Sequence, residues 1–332
     1  MIDKLSVELP IGGFFSSEEY TNQNNPDWIF EVIKVQSGRM ALLYELQNRD
    51  AKTIWLPYFY CEMVPTLLKK LGYEIKFYMI NDYFRVILPK TYSQKDIIVL
   101  VDYFGLTSKS LIKDIVFFDH KNVIVDAALS FWFQTNFNLP IFYSPRKFFG
   151  LPDGGFLKNP SKKTFLKKYN SYLSRKRSNY LNLRKIGLLE KGREIFKEAE
   201  HSLSLESKPM SISSYTYNLI LNVDFDFAFA KRRKNYSYLE QKLRMRGIKT
   251  MAMPKKTAPL CFPLRHEKAQ YVIEALAKKS IFCPKYWPNL ILQKNDTKGI
   301  ELLNKTVYLP IDQRYGIREM DYILDNLEKN IC

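Results

Sequence analysis

Histidine and cysteine are scarce in this chain. Its three histidines, His120, His201 and His266, stand at ligand spacing from neither one another nor any cysteine. The four cysteines, Cys61, Cys261, Cys283 and Cys332, form no C-x-x-C pair. This spacing argues against a zinc site and against a disulfide framework. The same scarcity fits a reducing cytoplasm, which is the expected compartment. Long apolar runs are also missing. The best, Ile97 to Val101, is flanked by Asp96 and Asp102, whereas spanning a bilayer takes about 18 apolar residues. Met1-Ile2-Asp3-Lys4-Leu5 contains no signal-peptide core. Acidic residues are outnumbered, with 34 Asp and Glu against 51 Lys and Arg and a net charge of +17. That balance points to an anionic partner: a phosphorylated small molecule, nucleic acid or an acidic membrane surface. Internal repeats and low-complexity linkers are absent.

What is present suffices for a large core. The 332 residues are 46% hydrophobic, with 22 Tyr and 23 Phe, enough for one large domain or two ordinary ones. The first thirty residues are polar and turn-rich, including Gly12-Gly13 and Asn22-Gln23-Asn24-Asn25-Pro26, and read as an N-terminal arm. Ser37 is a fair N-cap for a helix running through Leu46. A strand is expected at Thr53 to Pro57, a helix from Met63 to Leu71 ended by Gly72, and a strand at Glu74 to Ile80. Asp96 to Asp102 and Val123 to Asp126 are continuous β-branched runs, which suit parallel strands buried on both faces. Strands alternating with helices point to an α/β layered domain, taken as residues 1–225. A smaller C-terminal α/β domain, 226–332, is expected to follow. In it an amphipathic helix spans Phe229 to Leu243, and strands lie at Ala258 to Leu264 and Thr306 to Pro310. Helices fall at Glu267 to Lys279 and Ile317 to Lys329.

Between Lys158 and Lys185 the chain has many basic residues and no acid, with Phe165, Tyr169, Tyr172 and Tyr180 interleaved. Cations for phosphates and rings for stacking would suit nucleic acid. No recognised nucleic-acid module accompanies them. The favoured reading is a solvated helical face whose apolar side chains pack inward.

The chemistry-bearing segment is Phe142-Tyr143-Ser144-Pro145-Arg146-Lys147-Phe148-Phe149-Gly150, followed by Asp153-Gly154-Gly155. Upstream, the run Val123 to Asp126 ends in an acid and two small residues, Ala127 and Ala128. A lysine in an aromatic setting, after a strand-end aspartate and before a glycine pair, is what pyridoxal phosphate (PLP) chemistry needs. The amine forms a Schiff base, and the aspartate keeps the pyridine nitrogen protonated. Gly38 and Arg39, at a helix N-terminus, offer free backbone N–H groups for a phosphate. Asp126 stands where open α/β sheets place their ligands. Asp102 is a rival strand-end acid, but bulky Tyr103 and Phe104 follow it, so Asp126 is preferred.

These segments, in order, resemble the DegT/DnrJ/EryC/StrS family of PLP-dependent sugar aminotransferases. Ser37-Gly38-Arg39-Met40-Ala41-Leu42 resembles the family's helix start. Leu56-Pro57-Tyr58-Phe59-Tyr60-Cys61, Tyr103-Phe104-Gly105 and Val125-Asp126-Ala127-Ala128 are similar to its next motifs. Lys147 with Gly154-Gly155, Arg232-Arg233-Lys234-Asn235-Tyr236 and Tyr308-Leu309-Pro310-Ile311 resemble those that follow. The resemblance implies the aspartate aminotransferase fold: a large, mostly parallel three-layer domain plus the smaller α/β domain. It implies Lys147 as the catalytic residue and a cofactor site of Gly38, Arg39, Tyr60, Asp126, Ala128, Ser144 and Lys147. It further implies a homodimer converting a keto-sugar nucleotide to an amino sugar by a ping-pong route, with glutamate as donor, for surface polysaccharide or a similar product. The chain departs from the pattern at Leu129, where the family has Gln, and at Phe142, where it has a phosphate-binding Ser, so Ser144 is the nearest hydroxyl. The stretch that reaches a neighbouring subunit is not clear around Pro209-Met210-Ser211. Lys147 argues against the family's dehydratase branch, which has His there. Two other readings stand beside the enzyme: a PLP-fold protein that has lost catalysis and serves as a binding or assembly partner, and a basic nucleic-acid binder.

Overall fold

The β-branched runs lie side by side in the middle of one sheet. The computed structural model describes residues 10–18, 25–88, 90, 92–93, 95–118, 120–287 and 297–331. The polar 19–24 segment and Cys332 fall outside them. In chain order the first elements are β1 (Ile11–Gly12), α1 (Trp28–Glu31), β2 (Ile33–Val35), α2 (Gly38–Gln47), β3 (Thr53–Pro57), α3 (Met63–Lys70), β4 (Glu74–Ile80) and β5 (Val86–Ile87). There follow β6 (Ile97–Val101), α4 (Ser108–Phe117), β7 (Val123–Ala127), β8 (Ile141–Tyr143), β9 (Gly155–Lys158), α5 (Ser171–Lys185), α6 (Leu189–Ser204) and α7 (Ser214–Leu221). The last are α8 (Phe225–Met245), β10 (Phe262–Arg265), α9 (Ala269–Ala277), β11 (Ile281–Phe282), α10 (Thr297–Asn304), β12 (Thr306–Leu309) and α11 (Ile317–Ile331).

The large sheet has eight strands in the order β2-β9-β8-β7-β6-β3-β4-β5. Its central strands, β8 through β4 in that order, pair in parallel. β2, β9 and β5 are antiparallel to their neighbours and close the two edges. Every residue of β6 and β7 is buried, which is why these strands are apolar throughout rather than alternating. α2 lies in the core, with Met40 through Leu46 all buried. A helix apolar on most of its faces belongs inside, and its one buried acid, Glu45, is paired with Arg49.

Beyond α7, β10 and β12 form a two-stranded antiparallel sheet. β1, near the start of the chain, runs parallel to β11. Pairing across so long a stretch of sequence leaves no local signal. The turn-rich start of the chain thus contributes a strand against the C-terminal unit.

Three sequence expectations need correction. The strand expected from Ala258 begins at Phe262; residues 258–261 are a buried connection, tied by the Leu260 N–H to the Phe104 carbonyl at 3.0 Å. Between Lys158 and Lys185, the helix starts only at Ser171. Within the stretch the inward face is not made of rings alone: Arg177 and Arg184 are buried, while Phe165, ahead of the helix, is 91% and Tyr172 71% exposed. The two arginines turn inward because each has built acceptors, Glu206 and Ser202 for Arg177 and the Pro10 and Gly12 carbonyls for Arg184.

Candidate functional site

At the carboxyl ends of β6, β7 and β8 the sheet opens into a cavity of about 670 Å³. α2 enters it by its N-terminus. Ser37 caps that helix by accepting from the Met40 N–H at 3.3 Å. The approach depends on the glycine pair. Gly154 has φ +116°, in the left-handed region that favours glycine, and a Cβ on Gly155 would fall 2.2 Å from the Ser37 carbonyl carbon. Only a residue without a side chain lets β9 pass so near the start of α2. On the other side, a Cβ on Gly38 would lie 3.3 Å from the Ser144 Cβ. The Gly154-Gly155 pair therefore seats the α2 N-terminus against the Ser144 turn, three residues before Lys147.

All seven sequence-expected site residues line this cavity: Gly38, Arg39, Tyr60, Asp126, Ala128, Ser144 and Lys147. Asp126, on β7, accepts from the Ala128 N–H at 2.7 Å and from the Tyr60 hydroxyl at 2.5 Å. Burial pushes its carboxyl up, and the Tyr60 bond, the Lys147 ammonium and the Ala128 bond oppose that shift. Burial also pushes the Tyr60 hydroxyl well up, with Asp126 adding to the rise, so Tyr60 is the donor. Tyr60 thus orients the acid. Ala128 lines the cavity, while Ala127 belongs to the core.

Lys147 follows a short turn begun by Pro145. Burial lowers its amine below the ordinary lysine range, and Cys61 and Asp126 oppose the shift. Among the described residues no hydrogen bond or ion pair engages its Nζ. It also lines a second cavity of about 410 Å³, with Arg146, Phe196, Glu200 and Tyr286 shared between the two. The lysine stands where the two spaces meet.

Asp102, the rival acid, is accounted for by local structure. It accepts from the Thr107 N–H and hydroxyl, the Ser108 hydroxyl and the Ser130 hydroxyl, at 2.6 to 3.1 Å. Its carboxylate ties β6 to the start of α4 and the turn after β7, and it does not line the cavity.

Sequence reasoning did not find several residues of the site. Arg146 pairs with Glu200, and Arg39 donates to the Leu203 carbonyl at 2.7 Å; both partners are on α6. Among the described residues the buried Nε atoms of Arg39 and Arg146 have no hydrogen-bond partner. Buried guanidinium N–H groups left in this state are costly unless an anion meets them. α6 also brings Phe196, His201 and Ser204 to the cavity, and Tyr286 and Trp287 face it from the C-terminal unit. The signal for α6 was available: Gly192, Ile195, Phe196, Ala199 and Leu203 recur at helical spacing. Leu129 and Phe142 line the cavity and make part of its wall apolar. Cys61 lines it too, its thiol pushed up by burial against the opposing effect of Lys147. Cys61, Cys261 and Cys283 are all free.

No protein-family model and no curated protein matches the chain. Solved structures do match it. The chain is similar to a DegT/DnrJ/EryC1/StrS aminotransferase from Brucella abortus, with TM-score 0.61 and 15% identity over 90% of this chain and 86% of that one. It is similar to a Streptococcus pneumoniae protein assigned as a sugar aminotransferase, in its PLP form, with TM-score 0.63 and 14% identity over 100% and 95%. It is similar as well to Helicobacter pylori PseC, an aminotransferase of pseudoaminic acid biosynthesis, with TM-score 0.61 and 16% identity over 95% and 93%. At these identities the likeness is one of fold: the architecture expected from the sequence motifs is the one the chain adopts.

Proposed function

We propose that the chain is a PLP-dependent aminotransferase acting on a keto-sugar nucleotide, with an amino acid such as glutamate as donor and a homodimer as the working form. The observation that carries this reading is the convergence on one cavity of a lysine amine and two arginine Nε–H groups that have no hydrogen-bond partner among the described residues, beside a buried strand-end carboxylate. The donor set fits the cofactor. Lys147 would hold its aldehyde carbon, and Asp126, oriented by Tyr60, would face its ring nitrogen. The α2 N-terminus, Ser144, Arg39 and Arg146 would hold its phosphate. When bound, PLP supplies the electron sink that lets an amino group be exchanged for a keto group.

The chain's own residues supply the rest. Burial keeps part of the Lys147 amine free of its proton nearer to neutral pH than a surface lysine, so it can take and return a proton at the substrate carbon. Tyr60 and the Ala128 N–H hold the two oxygens of Asp126, which lines the cavity. Leu129 and Phe142 exclude water from the walls. The net positive charge of the chain favours an anionic substrate. The sugar acceptor and the cofactor are supported by the solved neighbours, among them proteins assigned as sugar aminotransferases in PLP and PMP forms.

The test is direct. The purified protein is mixed with PLP, its visible absorbance recorded, and the adduct reduced with borohydride and mapped. The pyridoxyl group is expected on Lys147; another lysine would overturn the assignment. Asp126→Asn is expected to retain PLP and to slow transamination by roughly two orders of magnitude or more. A screen of keto-sugar nucleotides then names the acceptor.

A further inference from the structure

A strongly basic surface lies away from the cavity. It is made by the connection after β9 and the first turns of α5. Lys162, Lys163, Lys167, Lys168, Arg175 and Lys176 are all exposed there. At the tip of the connection Phe165 is 91% exposed, and Tyr172, in the first turn of α5, is 71% exposed. No acidic residue occurs between Lys158 and Lys185. Three carboxylates that touch this segment are turned into internal bonds. Glu45 accepts from the Ser161 N–H at 3.0 Å, Asp153 from the Ser174 hydroxyl at 2.5 Å, and Glu206 from Arg177 at 2.7 Å.

The tip is held out by fixed structure. On one side the Thr164 N–H donates to the Tyr44 hydroxyl at 2.5 Å. On the other, the Ser211 N–H donates to the Lys167 carbonyl at 2.8 Å and the Tyr169 N–H to the Ser211 carbonyl at 3.0 Å. Phe165 therefore protrudes from a short span anchored at both ends. Tyr44 and Glu45 stand near the C-terminal end of α2, whereas Gly38 and Arg39 open its N-terminal end into the cavity. At about 1.5 Å per residue, the helix separates the patch from the cavity by roughly 10 Å.

An apolar ring in a field of lysines meets three kinds of partner. A second copy of this chain is disfavoured, because a two-fold contact would set lysines against lysines. A nucleic-acid strand would need rings arranged for stacking, but Tyr169 and Tyr180 are buried, which leaves Phe165 and Tyr172. An anionic bilayer needs what is present: cations over a broad face for the headgroups, and an apolar side chain to enter the acyl boundary. We propose that residues 162–176 dock this protein on the surface of a membrane rich in anionic lipid, with Phe165 as the inserted side chain. The contact is peripheral; no described helix is long and apolar enough to cross a membrane.

Co-sedimentation of the full chain tests this. Vesicles of phosphatidylcholine with about one-third phosphatidylglycerol should carry the protein down at roughly 0.1 M salt, and vesicles of phosphatidylcholine alone should not. Exchanging Lys162, Lys163, Lys167 and Lys168 for Gln should weaken partitioning about fivefold each, and on the order of a hundredfold or more together. Phe165→Ala should weaken it severalfold. Phe165→Trp should keep binding and shift its emission to the blue on the anionic vesicles alone. These side chains are exposed, so circular dichroism should be unchanged. Should a variant fail to fold, the Phe165→Trp emission and the salt dependence of the wild-type protein decide the matter. Failure of the wild-type protein to sediment, binding indifferent to the four exchanges, or unshifted Trp emission would each overturn the proposal. Tight retention of mixed single-stranded RNA at physiological salt, without vesicle binding, would give the patch to nucleic acid instead. None of these outcomes bears on whether Lys147 carries PLP.

Discussion

Lys147 and Asp126 show what burial does to two groups of opposite sign within one cavity. The amine is lowered from 10.5 and the carboxyl raised from 3.8, each chiefly by desolvation. The linkage signs are opposite. Between the lowered folded value of Lys147 and 10.5, the unfolded chain binds more protons, so stability attributable to this group rises with pH across that window. Between 3.8 and the raised folded value of Asp126, the folded chain binds more protons, so stability falls as pH rises there. A buried ammonium that finds no acceptor among the described residues is thus a cost to the cofactor-free protein at neutral pH. Lys147→Met is expected to raise its melting temperature near pH 7, with the gain shrinking as pH approaches 10.5. Thermal melts across that range check this, and a loss of stability at every pH would mean that Lys147 has a structural partner. At this scale much was legible. Asp126 differs from Asp102 by the small residues after it, and the structure adds the reason: the hydroxyls of Thr107, Ser108 and Ser130 already hold Asp102. The Arg146–Glu200 pair was not legible, because its members meet only through the fold.

Elements were readable where the sequence carries its own punctuation. α2 begins after Ser37, β3 stops at Pro57, and α3 gives way at Gly72, whose φ is +89°. β6 and β7 were readable because burial on both faces demands unbroken apolar runs. β8 and β9 were overlooked as strands because they are short and flank the lysine turn, where aromatic and glycine residues serve the site as well as the sheet. The glycine pair gained its meaning only from packing. Gly155→Ala would drive a methyl group into the backbone at Ser37, so it is expected to cost about 1 to 3 kcal/mol and to weaken PLP retention by displacing Gly38. Gly72→Ala meets no neighbouring atom within 4 Å and should cost only the backbone strain, about 1 kcal/mol, with no effect on PLP. Urea midpoints and dialysis against PLP-free buffer separate the two; equal PLP loss in both variants would remove α2 placement as the explanation.

At the scale of the whole molecule, the C-terminal unit holds the backbone next to the lysine. Arg232, on α8, is fully buried, and desolvation lowers its guanidinium to about 10. It donates to the Gln313 Oε1 at 3.0 Å and to the carbonyls of Phe148 and Leu260 at 3.1 Å each, and it stacks on the Phe148 ring at 4.9 Å. Gln313 donates to the same Phe148 carbonyl at 2.7 Å. Two side chains from beyond α7 thus meet on the residue that follows Lys147. A charge so deeply placed is tolerated because neutral acceptors surround it, and removing it leaves them facing nothing. Arg232→Met is expected to cost roughly 3 kcal/mol or more, and Gln313→Ala about 1 to 2 kcal/mol. Because both act through one carbonyl, the double variant should lose less or more than the sum by about 0.5 kcal/mol or more. Urea unfolding of the four proteins measures that coupling. The same variants, loaded with PLP and reduced by borohydride at a fixed early time, should label Lys147 more slowly than wild type, because the turn that aims the amine has lost its clamp. Losses that simply add, with labelling unchanged, would show that the Phe148 carbonyl does not connect the C-terminal unit to the lysine.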